Sequence, residues 1–164
     1  MTIQELIKKI EQWAIDRELD KNGTVEGQLI KTAEEVSELI IGMSKGNLLE
    51  IKDAIGDVFV TLVVGNLIGK STDILNDYKS VVIRNEAAYQ RYNLIMGIMY
   101  SMNRLMFEES YTKREVLSLI QDLMYVCKLY DLDFLDCVES AYNEIADRKG
   151  VVKNGTFIKE SDLI

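Results

Sequence analysis

The chain has 164 residues and contains no proline. Proline is the residue that most often ends or kinks a helix, because it lacks a backbone N–H and its ring clashes with the preceding turn. Apolar residues recur at helical spacing along most of the chain, beginning with Ile3, Leu6, Ile7 and Ile10. These features predict an all-α fold, built as a bundle of long helices.

Turn and capping residues divide this pattern into segments. Thr2 and Thr24 are suitable N-caps, and Gly23 and Gly46 are suitable stops. They predict a first helix that ends near residues 20–23 and two helices over about 24–45 and 48–68. Beyond these we expect a short segment over 73–79, helices over about 80–109 and 113–130, and a terminal polar helix over about 133–149.

The last residues predict a different structure. Apolar residues flank Asn154-Gly155, and an Asn-Gly pair in that setting is a strong signal for a short β-hairpin or an extended arm. We find no linker composition, low-complexity segment or internal repeat. Residues 1–164 are therefore interpreted as a single helical domain with a small terminal hairpin.

Histidine is also absent. The commonest general base and the commonest nitrogen ligand of zinc are thus unavailable. The Glu-x-x-His signature of di-metal carboxylate oxidoreductases is excluded for the same reason. Any catalysis must use carboxylates, Lys, Tyr, Ser, Thr, Cys or a bound metal.

Charge and hydropathy restrict the partners. The net charge of −8 argues against a nucleic-acid partner, but not against a phosphate-bearing ligand that arrives with Mg²⁺. The N-terminus lacks a signal-peptide core, and the longest apolar run, residues 58–64, is too short to span a membrane. We expect a soluble, cytoplasmic protein with no membrane partner, in which Cys127 and Cys137 are buried free thiols.

Acidic residues are clustered on the second and third predicted helices, as Glu34, Glu35 and Glu38 and then as Glu50, Asp53 and Asp57. Glu38 is four residues after Glu34 and three after Glu35, and Glu50, Asp53 and Asp57 follow one another at three and four residues, so each set lies on one face of a helix. Two helices joined by a short connection are usually antiparallel neighbours, so the two acidic faces can meet. Several carboxylates around one point suit Mg²⁺ or Mn²⁺.

Charged runs on helices are more often solvated faces, and this alternative stays open. Asp57 favours a ligand site, because it immediately precedes residues 58–64, which are apolar around nearly the whole helix. A carboxylate at the edge of such a segment is costly unless it is paired or bound to a metal. Gly42 and Gly56 would let a neighbouring helix or a ligand come close.

Two segments resemble the motifs of a known family. Residues 28–39, with Glu34-Glu35-Val36-Ser37-Glu38, resemble the Glu-Glu-x-x-Glu helix of the MazG-like, all-α nucleoside triphosphate (NTP) pyrophosphatase superfamily. Residues 53–58 resemble its second motif, usually Glu-x-x-Asp, and residues 141–150 are similar to the polar C-terminal segment of phage-type and Gram-positive-type members. The middle, about residues 70–130, carries no recognised motif.

The sequence departs from the family pattern at one position. Ala54 stands where the second motif usually has glutamate, three residues before Asp57. Asp53 is the nearest candidate to replace that glutamate, and Glu50 is an alternative. This departure puts the fourth ligand in doubt. It motivates an alternative function, a non-catalytic helical interaction or regulatory protein that keeps the fold with a weakened metal site.

The resemblance implies hydrolysis of an NTP or deoxynucleoside triphosphate (dNTP) to the monophosphate and pyrophosphate, with Mg²⁺ as cofactor and Mn²⁺ as a possible substitute. By the same resemblance Glu35, Glu38, Asp53 and Asp57 would hold the metal, with Glu34 and Glu38 as catalytic residues. Lys31, Asn143, Arg148 and Lys149 would bind the substrate.

Two further expectations concern the base and the assembly. A base could stack on Trp13, although a core aromatic is the commoner role of such a residue. Members of the family pair helices across subunits, so we expect a homodimer or homotetramer. The Met-rich segment Leu94–Phe107 is the candidate seam, because it is too apolar for an exposed surface.

Overall fold

The computed structural model describes residues 1–71, 73–83 and 90–163, and within them the chain is mostly helical. The helices are α1 (Ile3–Asp16), α2 (Leu19–Asn22), α3 (Val25–Lys45), α4 (Leu48–Gly69), α5 (Ile74–Asp77), α6 (Arg91–Glu108), α7 (Lys113–Tyr130) and α8 (Phe134–Ile145). Strands β1 (Gly150–Lys153) and β2 (Thr156–Lys159) follow, and Tyr78–Ser80 and Glu160–Asp162 form 3₁₀ turns. The predicted all-α bundle with a short C-terminal hairpin is confirmed.

Side-chain caps define the N-terminal ends of the first long helices. Thr2 and Glu5 form a reciprocal capping box on α1. The Thr24 hydroxyl accepts a hydrogen bond from the Gly27 N–H at 3.0 Å at the start of α3. Gly46 ends α3 in the left-handed conformation, with φ of 66°, and Asn47 caps α4. The predicted bounds of α3 and α4 are therefore confirmed to within one residue.

Helix α4 lies at the centre of the bundle and packs against α3, α8 and α1. Every side chain from Val58 to Val64 is buried, which confirms the sequence interpretation of this run as core. A helix that is apolar on all sides is stable only when neighbours cover all of it. Since α3 and α4 are joined by a two-residue turn, they pack antiparallel along most of their length.

Glycines bring two neighbours close to α4. A Cβ on Gly56 would lie 2.4 Å from the Cys137 carbonyl oxygen, so α8 approaches α4 directly beside Asp57. A Cβ on Gly65 would lie 2.0 Å from the ring of Tyr111, whose hydroxyl is 2.7 Å from the Thr32 hydroxyl. The contact at Gly56 brings the end of α8 next to the acidic face of α4.

The C-terminal residues form the predicted hairpin. Strands β1 and β2 are antiparallel, and the turn between them has positive φ at both Asn154 (54°) and Gly155 (78°). This conformation is the one that an Asn-Gly pair favours in a two-residue hairpin turn. The Thr24 N–H donates to the Gly155 carbonyl at 3.0 Å, so the turn docks against the N-terminus of α3.

Three helix bounds differ from the prediction. The first helix ends at Asp16, and Glu18, with φ of 57°, separates it from the one-turn α2. The predicted helix over 80–109 begins only at Arg91; residues 81–83 are not helical and residues 84–89 lie outside the described part of the chain. The terminal helix, predicted to reach residue 149, ends at Ile145.

The early end of α8 has a physical cause in α1. The Trp13 indole N–H donates to the Ile145 carbonyl at 2.7 Å, and the Arg17 guanidinium donates to the carbonyls of Ala146 and Arg148. These long-range hydrogen bonds satisfy backbone carbonyls at and just beyond the end of α8. The chain then leaves the helix and continues to β1.

The structure also bears on the two cysteines and on membrane-spanning helices. Cys127 and Cys137 are both buried and free, as predicted. Among the described residues, no helix combines the length and the apolar character that crossing a bilayer requires.

Candidate functional site

A cavity of about 410 Å³ opens between α3, α4, the end of α8 and the hairpin. The charged residues that line it are Lys31, Glu34, Glu35, Glu38, Asp53, Asp57, Glu144, Arg148, Lys159 and Asp162. The uncharged residues that line it are Trp13, Leu19, Gln28, Val60, Thr61, Val64, Ile145, Thr156, Phe157 and Ile158. The cavity thus has seven carboxylates against three cations, beside an apolar wall.

The acidic wall follows from helical spacing on α3 and α4. Glu34 and Glu38 are four residues apart on α3, and Asp53 and Asp57 are four residues apart on α4. Because the two helices pack against each other, both acidic faces border the same cavity. Ala54, at the position where the family motif has glutamate, is buried with 3% of its surface exposed.

Lys31 partly neutralises the α3 side of this wall. Its ammonium lies 2.7 Å from a carboxylate oxygen of Glu35 and 3.1 Å from one of Glu34. Although burial opposes it, the hydrogen bonds to Glu35 and Glu34 raise the pKa of Lys31 above its usual value. Lys31 is therefore a charged partner of the carboxylates here, whereas the sequence assigned it to substrate.

Asp57 is the carboxylate most affected by its surroundings. Burial, reinforced by the negative charges of Glu35, Asp53 and Glu144, raises the pKa of Asp57 to about 7. Asp57 accepts no hydrogen bond and forms no ion pair within the described part of the chain. A half-buried carboxylate that faces other carboxylates without a partner favours a cation in the cavity.

Two more carboxyls on this wall are shifted in the same direction. Although Glu38 is exposed, partial desolvation and the charge of Glu35 raise its pKa. Partial desolvation and the charge of Glu144 raise the pKa of Asp53, which is also exposed, and the positive charges of Arg148 and Lys159 act in the opposite direction. The carboxylates of α3 and α4 are thus close enough for each to disfavour ionisation of another.

Apolar residues also line the cavity, and Trp13 is one of them. This indole is 8% exposed, its N–H is bonded to the Ile145 carbonyl, and the Arg17 guanidinium lies 4.7 Å from its ring centre. Phe157 of the hairpin packs edge-to-face against it, with ring centres 5.3 Å apart. Trp13 therefore borders the cavity chiefly as a packed wall, and little of the ring is left to stack on a base.

The structure brings some of the predicted C-terminal residues to the cavity and leaves others outside. Arg148 lines it and forms an ion pair with Glu144. Asn143 and Lys149 are exposed and do not line it. Asn143 is one residue before Glu144 and so points about 100° away around α8, and Lys149 lies past the end of the helix. Glu50, the alternative to Asp53, is also exposed and outside the cavity.

Several residues of the site are not among those that the sequence predicts. Glu144 had a detectable signal, since it stands four residues before Arg148, at the spacing of a helical ion pair. Phe157 and Lys159 have no such sequence signal, because their place in the cavity depends on how the hairpin docks.

Gln28 links the two motif helices where they line the cavity. Its side-chain amide on α3 donates to the Thr61 carbonyl on α4 at 3.2 Å.

The side chains that line the cavity can be compared with the ligands that a metal ion needs. Within the described ranges, no group of three or more His, Cys, Asp or Glu side chains is placed so that it could hold a metal ion. The chemistry nevertheless fits a hard divalent cation, because the lining supplies carboxylate oxygens and the half-buried Asp57 has no protein partner among the described residues. The Lys31 ammonium would have to release Glu35 before that carboxylate could be a ligand.

Part of the chain is similar to a phage protein. The chain is 50% identical over 62 residues to a protein of Haemophilus phage HP1 (strain HP1c1), described as an uncharacterized 18.2 kDa protein in the rep-hol intergenic region. The match covers 38% of this chain and 38% of the length of the phage protein. No protein-family model matches the chain, and no solved structure matches it.

Proposed function

We propose that the protein is a Mg²⁺-dependent nucleotide pyrophosphohydrolase of the MazG-like type, acting in the cytoplasm. It converts an NTP or dNTP to the monophosphate and pyrophosphate. One observation carries the proposal: Glu35, Glu38, Asp53 and Asp57, which come from both motif helices, line one cavity.

These four carboxylates are the residues that would hold the metal. When bound, Mg²⁺ would neutralise negative charge on the polyphosphate during cleavage of the anhydride bond. Mn²⁺ has the same preference for oxygen ligands and is a possible substitute. The excess of carboxylates over cations in the cavity supports this assignment, since a triphosphate without a metal would be repelled.

Glu34 and Glu38 are proposed to act on the attacking water. Both are exposed residues of α3 at the border of the cavity, where water can reach them. Either carboxylate can accept a proton from a water molecule while the oxygen of that water attacks the α-phosphorus. The bond between the α-phosphorus and the bridging oxygen breaks in the same step, and pyrophosphate leaves with that oxygen.

The apolar lining of the cavity is proposed to hold the base. Val60, Val64 and Phe157 would provide contact area, and Thr61 and Thr156 are hydroxyl residues of the same lining. A mostly apolar pocket with a few polar groups is typical of small-molecule sites. Phe157 replaces Trp13 in this proposal as the aromatic contact.

A pyrophosphate-release screen over canonical and modified NTPs and dNTPs with Mg²⁺ tests the proposal. Glu38→Gln and Asp57→Asn should each lower turnover at least about 100-fold, because each removes a charged oxygen from the proposed metal and water site. Glu50→Gln is the matched control, since Glu50 is on α4 but outside the cavity. Turnover unchanged in both site variants would refute the site assignment.

A second function is favoured by one specific observation. Lys31 already neutralises Glu35, and among the described residues no carboxylate group is arranged to hold a metal. The alternative proposal is a helical interaction or regulatory protein that keeps the fold without metal chemistry. It predicts no pyrophosphate release from any nucleotide and no specific stabilisation by Mg²⁺.

A further inference from the structure

Lys159 is the last residue of β2 and borders the cavity from outside the helical bundle. It is half-buried and pairs with Gly150 across the hairpin. Its charge acts on Asp53, where it partly offsets the rise in pKa that burial and Glu144 cause. The hairpin thus brings a cation to the border of the acidic wall.

The three cations of the cavity differ in their partners. Lys31 is bonded to Glu34 and Glu35, and Arg148 is bonded to Glu144. Lys159 forms no ion pair with any residue that the structure describes. Its ammonium is therefore the cation whose hydrogen-bond donors remain available to a ligand.

The backbone that carries Lys159 is anchored at several points. A Cβ on Gly27 would lie 2.6 Å from the Thr156 hydroxyl oxygen, which shows how closely the turn packs on α3. Phe157 packs against Trp13, and the Glu160 N–H donates to the Lys149 carbonyl at 2.9 Å, next to Lys159. The hairpin therefore holds the Lys159 backbone at the border of the cavity, within reach of a ligand there.

We propose that Lys159 is a phosphate-binding residue that the C-terminal hairpin contributes to the cavity. Its ligand is the polyphosphate of a metal-loaded nucleotide, so the inference rests on the proposed function and adds a residue that the helical motifs do not contain. A divalent cation on the carboxylates would reduce the negative potential, and Lys159 would then donate a charge-assisted hydrogen bond to a phosphate oxygen.

Isothermal titration with inorganic tripolyphosphate in excess MgCl₂ tests this role without catalysis, with MgCl₂ alone as the blank. We expect Lys159→Ala to weaken binding about tenfold, the effect of one lost charge-assisted hydrogen bond. Lys159→Gln should behave in the same way, and Lys159→Arg should stay within about threefold of wild type. Lys153→Ala is the matched control, because Lys153 is exposed on β1 and does not line the cavity.

The outcomes separate the two proposals. If wild type binds tripolyphosphate and Lys159→Ala and Lys159→Gln bind equally well, the role of Lys159 is refuted and the proposed function stands. If the Lys153 variant weakens binding as much, the effect is general electrostatics and the role is again refuted. If wild type does not bind at all, the proposed function fails, and the assignment of Lys159 fails with it. Melting temperatures without metal confirm that each variant is folded.

Discussion

The Lys31 ammonium lies 2.7 Å from a carboxylate oxygen of Glu35, one helical turn further along α3. Only 6% of Glu35 is exposed, so this ion pair compensates a carboxylate that would otherwise be buried without a counter-charge. A divalent cation bound by Glu35 would take over that compensation. The ion pair and the proposed metal site therefore compete for the same carboxylate.

Replacement of Lys31 tests this competition. Lys31→Met should lower the stability of the metal-free protein by about 1–2 kcal/mol, because the buried Glu35 carboxylate loses its partner while Lys31 itself is partly solvated. The same variant should gain more in melting temperature from Mg²⁺ than wild type does. Lys113→Met is the control, since it removes an equally short ion pair, to Asp77, from a more exposed lysine. Equal Mg²⁺ responses in Lys31→Met and wild type would contradict the competition.

The pH dependence of stability tests the environment of Asp57. An unfolded aspartate has a pKa of about 4, and the folded pKa of Asp57 is about 7, chiefly through burial. Between pH values of about 4 and 7 the folded state therefore binds more protons than the unfolded state. The free energy of unfolding without metal falls as pH rises through this range and is constant above it.

Asp122 must be removed to isolate this effect. Burial also raises the pKa of Asp122 to about 7, where it packs beside Gly97 on α6. In an Asp122→Asn background, Asp57→Asn should raise the melting temperature at pH 8 in chelator by about 3–5 °C and flatten the profile between pH 5.5 and 8. A profile that Asp57→Asn leaves unchanged would show that this carboxyl has an ordinary pKa.

Replacement of Gly27 tests the packing of the hairpin against α3, which closes one side of the cavity. A Cβ on Gly27 would meet the Thr156 hydroxyl at 2.6 Å and the Gly155 carbonyl at 2.8 Å. Gly27→Ala should therefore destabilise the protein by about 1–3 kcal/mol despite the better helix propensity of alanine. It should also speed proteolysis after residue 149. Gly69→Ala is the control, since its Cβ would make only ordinary contacts of 3.4 Å or more; equal melting temperatures for the two variants would refute the contact.

The exposed face of α6 tests the expected assembly. Leu94, Ile98, Met102 and Leu105 of the predicted seam pack inside the subunit, and Ile95 is half-buried. The most exposed apolar side chains of α6 are Tyr92 (70%), just before the seam, and Met96 (53%), Met99 (56%), Tyr100 (60%) and Phe107 (79%) within it. An apolar face of this kind favours a subunit interface.

We expect sedimentation to show a homodimer or homotetramer at micromolar concentration. Met99→Glu should shift it towards monomer, because the substitution would bury a charge in the interface. Leu49→Glu, at an 81% exposed position on α4, should leave the assembly unchanged. A wild-type protein that sediments as a monomer would contradict the expectation.

Local signals in the sequence were sufficient for the motif helices. Thr24, Gly46 and Asn47 are caps whose effect depends only on their immediate neighbours, so the bounds of α3 and α4 were predictable. The same holds for the Asn154-Gly155 turn. The partial burial of Asp57 was predictable because the run that follows it is apolar on every side of the helix.

Features that depend on distant contacts were not predictable. The end of α8 is set by Trp13 and Arg17, more than 120 residues earlier in the chain. Lys159 reaches the cavity only because Gly27 lets the hairpin dock, and no local pattern indicates this. The pairing of Lys31 with Glu35 is local, but sequence alone did not decide between a phosphate and a carboxylate as its partner.

The most direct test of the central claim is a melting-temperature titration with MgCl₂ and MnCl₂ of wild type and Asp57→Asn. A cation that binds only the folded protein should raise the wild-type melting temperature with a saturable dependence, by about 5–10 °C at 100 times the dissociation constant. Asp57→Asn should start higher at pH 8 and gain little from either metal. If wild type and Asp57→Asn respond equally, or neither responds, the carboxylates of α3 and α4 do not form a metal site.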